Sequence, residues 1–222
     1  SSTIVTSRFA GNGNGLDYGW GGGIGWDWLG DMVTPGPGRV NFYAGTGSSD
    51  PNIGTRYSEM LTQWQSTIDS IVGPYEISGI IWVQGEQDSK ESVSVNRYAA
   101  SLDNLVSRIH EDLDLTAGSV PFLYSSMEST ASQFVYDDQL RNQQAIADHA
   151  SGNAAAISNA YLISAENLNY VDEVHYTSGG QTELGERFAG QAYTLSAPEP
   201  SSLVAMVVGG LCILRRRRSA SY

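Results

Sequence analysis

Short apolar runs alternate with stretches of helical periodicity along most of this chain, and that alternation is what most restricts its fold. Gly79 to Val83 (GIIWV) is continuously apolar, which predicts a strand buried on both faces. Val120 to Tyr124 (VPFLY) and Ala154 to Ile157 read as further strands. Val40 to Ala44 (VNFYA) reads as another, closed by a tight turn at Gly45. Between these runs, Tyr57, Met60, Leu61, Trp64, Ile68 and Ile71 recur at helical spacing and stop near Gly73-Pro74. Leu102, Leu105, Val106 and Ile109 mark a second helix, and residues 137–150 a third. Leu184, Phe188, Ala189 and Ala192 mark a last one. Strand and helix in alternation predict an α/β fold, a three-layer α/β/α sandwich around a mainly parallel sheet. Ligands gather at the carboxyl ends of such strands. The chemistry is therefore expected after Ala44, after Val83 and in the loops near residues 125 and 170.

The 222 residues suffice for one α/β domain with a sizeable core, and 41% hydrophobic against 16% charged residues is a globular composition. The net charge is −12, yet four of the twelve basic residues form the run Arg215 to Arg218. No acidic residue lies beyond Glu199, so the body carries 24 acidic residues against eight basic ones. A body so acidic repels nucleic acid and polyanionic substrates, which favours a neutral ligand; the charge also serves solubility. Cys212 is the only cysteine, so neither a disulfide framework nor a cysteine zinc site can form within the chain. His110, His149 and His175 have no metal-ligand spacing, so no multi-histidine metal centre is expected, although an oxygen-ligand cation site stays open.

Residues 11–30 (GNGNGLDYGWGGGIGWDWLG) read as a loop. Its Trp20, Trp26 and Trp28 are either sugar-stacking platforms or caps on the core. At the other end, Thr194 to Ser202 (TLSAPEPSS) reads as a Pro/Ser linker. Leu203 to Leu214 (LVAMVVGGLCIL) is wholly apolar and precedes the arginines. Twelve apolar residues are short for a spanning helix, but flanking residues extend the reach and the arginines would hold the cytoplasmic end. Pro198-Glu199-Pro200, the apolar run and the arginine cluster together resemble the C-terminal sorting signal named PEP-CTERM. The resemblance implies a bacterial protein exported to the cell envelope or beyond. Residues 203–214 would anchor it transiently in the inner membrane, until a partner of the exosortase type removes the tail.

Two segments carry chemistry. In the first, the Gly79–Val83 run leads straight into Gln84-Gly85-Glu86-Gln87-Asp88. A glutamine at a strand's carboxyl end can aim its amide N–H at a bound oxyanion, a glycine allows a sharp turn, and Glu86 and Asp88 could bind sugar hydroxyls or orient neighbours. An ordinary polar turn would read the same way. In the second, Asp172 and His175 stand three residues apart before the last helix. A carboxylate there can bond one imidazole nitrogen and leave the other as a general base. A helix-start aspartate beside an incidental histidine is the plainer alternative.

Taken together, Trp82-Val83-Gln84-Gly85-Glu86-Gln87-Asp88 and the block from Asp172 through His175 to Leu184-Gly185-Glu186-Arg187 resemble the SGNH hydrolases, whose fold is flavodoxin-like. The match is to the sialate O-acetylesterase and acetylxylan esterase branch, over roughly residues 40–193. It implies one esterase domain over residues 1–193, then the linker 194–202 and the tail 203–222. It implies His175 as general base, Asp172 as its orienting partner and Gln84 as an oxyanion-hole donor. A backbone N–H near Gly45 or Gly47 would be the second donor, and acetylated glycans the substrate. The resemblance implies no metal or organic cofactor. Glu86, Asp88 and Trp26 are candidate substrate contacts. The family's nucleophile stands in a Gly-Gln-Ser-Asn-like or Gly-Asp-Ser-like turn after its first strand, and residues 1–40 hold no such turn. The expectation is that the first strand, the nucleophile and an export leader lie upstream of Ser1. The rivals are that Ser48 or Ser49 is the nucleophile, that the domain binds glycans without cleaving them, or that it acts on longer acyl chains.

Overall fold

Three parallel strands form the centre of the computed structural model, which describes residues 41–196 other than 91 and 130. They are β1 (Ile80–Trp82), β2 (Phe122–Ser125) and β3 (Ala160–Ile163), in the spatial order β1-β2-β3. The register pairs Ile80 with Phe122 and Phe122 with Ala160, and continues to Trp82, Tyr124 and Leu162. Side chains alternate across a strand, so these six residues share one face. That face is covered by α1 (Thr55–Asp69), α2 (Ser92–Asp112) and α3 (Asp137–Ala147), with Tyr57, Met60, Tyr98, Leu102, Leu105, Ile109 and Leu140 in the shared core. On the other face Leu123 and Ile163 pack beneath Leu184 and Phe188 of α4 (Ser178–Ser196). Helices on both faces of a parallel sheet give the α/β/α layering that the alternating pattern predicts.

Three of the expected strands need correction. Residues 154–157 turn rather than extend: the Asn153 side chain accepts from Ala155 N, and Asn153 O accepts from Ala156 N. The strand lies six residues later, at Ala160-Tyr161-Leu162-Ile163, where bulkier side chains suit a pleated surface. β1 is not buried on both faces, since Ile81 is 59% and Val83 50% exposed. They share the face of Leu123, but α4 stands over β2 and β3 and does not reach them. Of the Val40–Ala44 run, Val40 is outside the described residues, and the rest is buried without pairing into the sheet. It is fixed instead by Gly54 N, which donates to Tyr43 O at 2.8 Å, and by side chains. Phe42 meets Trp82 edge to face at 4.9 Å, and buried Arg108 of α2 donates from Nε to Ala44 O at 3.3 Å. In α4, Ala189 and Ala192 face outward, and the helix extends to Ser196, into residues read from sequence as linker.

Candidate active site

Because β1, β2 and β3 are parallel, the segments that leave their carboxyl ends emerge along one edge of the sheet. Gln84 to Asp88 follow β1, Ser126 to Ser129 follow β2, and the loop that carries Asp172 and His175 follows β3. Both segments that the sequence marks as chemical thus leave the sheet at this edge.

In the third loop, Asp172 organises the turn around itself. Its Oδ1 accepts from the backbone N–H groups of Val174 (2.8 Å) and His175 (2.7 Å), and its Oδ2 lies 2.8 Å from His175 Nδ1. These bonds, the imidazole's first, hold the Asp172 carboxyl down at about 2. An ionised carboxylate only accepts, so Nδ1 carries the hydrogen, and in the neutral ring Nε2 is then the nitrogen with the lone pair. No hydrogen bond reaches Nε2 among the described residues. The pair lies in the open, with the imidazole 76% and the carboxylate 53% exposed. The loop is braced from beneath: Val171 N donates to His175 O at 2.7 Å, and the Tyr170 and Tyr176 rings lie 4.7 Å apart. Ser129, after β2, donates to Glu173 O at 2.6 Å, and Tyr170 donates its hydroxyl to Glu128 O.

The first loop is built on buried polar groups. Gln84 is 8% exposed. Its Nε2 donates to Asp88 Oδ2, and its Oε1 accepts from the Tyr98 hydroxyl at 3.3 Å. Gly85 has φ +153°, and a Cβ there would meet Leu140 Cδ2 at 2.9 Å. Gln144, wholly buried in α3, accepts from Met127 N at 2.8 Å and donates to Ser125 O at 3.2 Å and Gln84 O at 3.5 Å. It thereby ties the end of β1 to the end of β2. Tyr98 and Gln144 escape a sequence reading, because each occupies one turn of a helix with no local motif; the signal is the burial itself. Of the two parts open to Asp88, sugar contact or orientation of a neighbour, its place fits the second: it is 0% exposed and turned to Gln84. Glu86 is partly exposed, and its charge is one of the lesser causes that raise Tyr170 and Tyr176 in the histidine's loop. Burial comes first among the causes that raise both tyrosines, with Tyr176 the more strongly raised.

The turn after Ala44 discriminates between its two glycines. Gly45 has φ +77°, and a Cβ there would meet Ile53 Cγ1 at 2.7 Å, whereas a Cβ on Gly47 would meet nothing within 4 Å. The constrained position is Gly45. Asp50 closes the turn, accepting from Thr46 N at 2.9 Å and Asn52 N at 2.9 Å, and these bonds lower its carboxyl to about 2. A shallow hollow of about 460 Å³ opens on this turn, lined in part by Tyr43, Gly47 and Ser49. Ser48 and Ser49 are exposed, and neither bonds to His175. Trp26 lies outside the described residues. Among those described, no group of three or more His, Cys, Asp or Glu is placed to hold a metal ion.

Residues 42–194 match the family described as carbohydrate esterase, sialic acid-specific acetylesterase. The chain belongs to this family of carbohydrate esterases. Both of the paired loops fall inside the matched span. The chain is 29% identical over 119 residues to a protein of Arabidopsis thaliana named as a probable carbohydrate esterase, which covers 53% of this chain and 40% of that one. It thus spans less than half the length of this curated relative. The X-ray structure of a protein from Arabidopsis thaliana superposes with a TM-score of 0.52 at 24% identity, over 64% of this chain and 53% of that one. That likeness bears on the fold alone.

Proposed function

We propose that the protein removes acetyl esters from glycans by a serine mechanism in which His175 is the base, Asp172 its orienting partner and Gln84 an oxyanion donor. The observation that carries this reading is the His175–Asp172 pair at 2.8 Å, its Nε2 open, on the same sheet edge as the Gln84 amide. A serine Oγ attacks the acetyl carbonyl while His175 Nε2 takes its proton. The tetrahedral oxyanion is met by Gln84 Nε2–H and by a backbone N–H of the Gly45–Gly47 turn. The intermediate collapses, the sugar hydroxyl leaves with the proton returned from the imidazolium, and the acetyl stays on the serine. Water, deprotonated by the same imidazole, then releases acetate. The nucleophile in this proposal is the serine of the family's Gly-Gln-Ser-Asn-like or Gly-Asp-Ser-like turn; the rivals Ser48 and Ser49 are exposed and make no bond to the imidazole. Glu86 and Trp26 remain proposed sugar contacts. We also propose that Pro198-Glu199-Pro200 and the tail 203–222 are an exported protein's sorting signal, removed by an exosortase-type partner after membrane engagement through residues 203–214.

The test is acetate release by the whole natural protein from acetylated glycans, together with a nitrophenyl ester series from acetyl to octanoyl. The expected result is hydrolysis with acetyl preferred by at least about tenfold, worth ~1.4 kcal/mol in the barrier. Faster hydrolysis of octanoyl would move the enzyme to acyl-chain substrates. Glycan binding by calorimetry with no acetate released would instead make it a binding domain.

A further inference from the structure

Gln84 needs something besides its position to serve as an oxyanion donor. A glutamine carboxamide has an oxygen on one arm and an NH2 on the other, of nearly equal size, so a half-turn about its last bond exchanges them. Turned the wrong way, it would offer a carbonyl oxygen where negative charge develops. Its neighbours decide the orientation. Asp88 is 0% and Tyr98 1% exposed, and both face the amide. The Asp88 carboxylate takes a hydrogen from Nε2, and the Tyr98 hydroxyl shares its one hydrogen between Gln84 O at 3.2 Å and Oε1 at 3.3 Å. Exchanging the arms would set Oε1 against the carboxylate and Nε2 against a hydroxyl that also meets Gln144 Nε2 at 3.5 Å. The NH2 carries a second hydrogen, and among the described residues none accepts it.

We propose that Asp88 is a positioning residue that, with Tyr98 opposite, locks the Gln84 carboxamide in the one orientation that leaves an N–H directed at the developing oxyanion. The inference rests on the reading of Gln84 as an oxyanion donor. It assigns Asp88 to the catalytic apparatus through another residue and removes it from contact with sugar. Asp88→Asn tests it, because an asparagine accepts on one arm and donates on the other and no longer dictates which arm of Gln84 faces it.

In the whole natural protein, D88N lowers kcat for acetate release by about tenfold to a hundredfold, less than the loss of a whole oxyanion donor, with KM within about twofold. In a Gln84→Ala background the same change costs less than about twofold, because the residue it positions is gone. Tyr98→Phe lowers kcat in the same sense. Unchanged kcat in D88N, or an equal loss with and without Gln84, would overturn the assignment. A second measurement needs no activity. In nitrogen-15-labelled wild-type protein, the Gln84 side-chain amide, assigned by its absence in Gln84→Ala, has the hydrogen held by Asp88 slow to exchange with solvent. In D88N it exchanges quickly. Rapid exchange already in the wild type would overturn the lock even if acetate is released. Absence of acetate release together with a protected amide would sink the esterase reading and leave the lock standing. Should D88N fail to fold, Tyr98→Phe and the wild-type spectrum decide.

Discussion

At the scale of single residues, the site depends on carboxylates that differ in surroundings. Asp172 is held at about 2, below the ordinary 3.8, first by the imidazole hydrogen bond and then by two backbone N–H groups. A depressed carboxyl stabilises the folded loop at pH values above its unfolded pKa, and that contribution is lost as pH falls from about 4 towards 2. Asp172 is therefore ionised throughout the range in which histidines titrate, and the acid limb of activity does not arise from it. Asp172→Asn keeps the shape but replaces one acceptor oxygen by a donor, so the imidazole loses the partner that fixes its tautomer. We expect kcat to fall by about a hundredfold or more with the fold intact, read by acetate release alongside circular dichroism. A loss under about threefold would mean the carboxylate only shapes the loop. The Asp-x-x-His spacing was legible in sequence because both partners lie within one turn of chain. The burial of Asp88 was not. Nothing local distinguishes a carboxylate that faces solvent from one that faces Gln84, and the Tyr98 that completes its site is ten residues away on a helix.

Among the elements, the segments hardest to read are those held by side chains rather than by ladders. Residues 42–44 have the composition of a strand, yet they are fixed by Phe42 against Trp82 and by the Arg108 guanidinium on Ala44 O. Arg108 is 4% exposed and also pairs with Glu111 and, at 2.6 Å, with Asp112, which in turn accepts from the Tyr57 hydroxyl at 2.7 Å. One cation thus joins the segment before the Gly45 turn, α1 and α2. Its removal leaves Asp112, 11% exposed, without its charge partner. We expect Arg108→Ala to cost about 3 kcal/mol in denaturant unfolding, the usual scale for breaking a buried pair. A loss below about 0.5 kcal/mol would place the restraint elsewhere. The helices were legible because their apolar positions recur with one period over many residues. The third strand was misplaced because Ala154–Ile157 and Ala160–Ile163 are equally short apolar runs, and only the hydrogen bonds of Asn153 make the first a turn.

For the molecule as a whole, sheet direction does the work that sequence separation hides. Gln84 and His175 are 91 positions apart, yet both leave the carboxyl edge of parallel strands, and Gln144 and Ser129 fasten their loops to the one between them. The alternating pattern predicted this architecture, since parallel strands joined by helices must all point one way. It could not reveal that α4 leaves Ile81 and Val83 open, because coverage depends on where a distant helix comes to rest. In the proposed function the open nitrogen of His175 is the base for ester cleavage. The decisive experiment compares acetate release by the whole natural protein with that of its His175→Ala variant at equal folded concentration. We expect kcat to fall by about a thousandfold or more with circular dichroism unchanged; undiminished turnover in the variant would rule the imidazole out as the base.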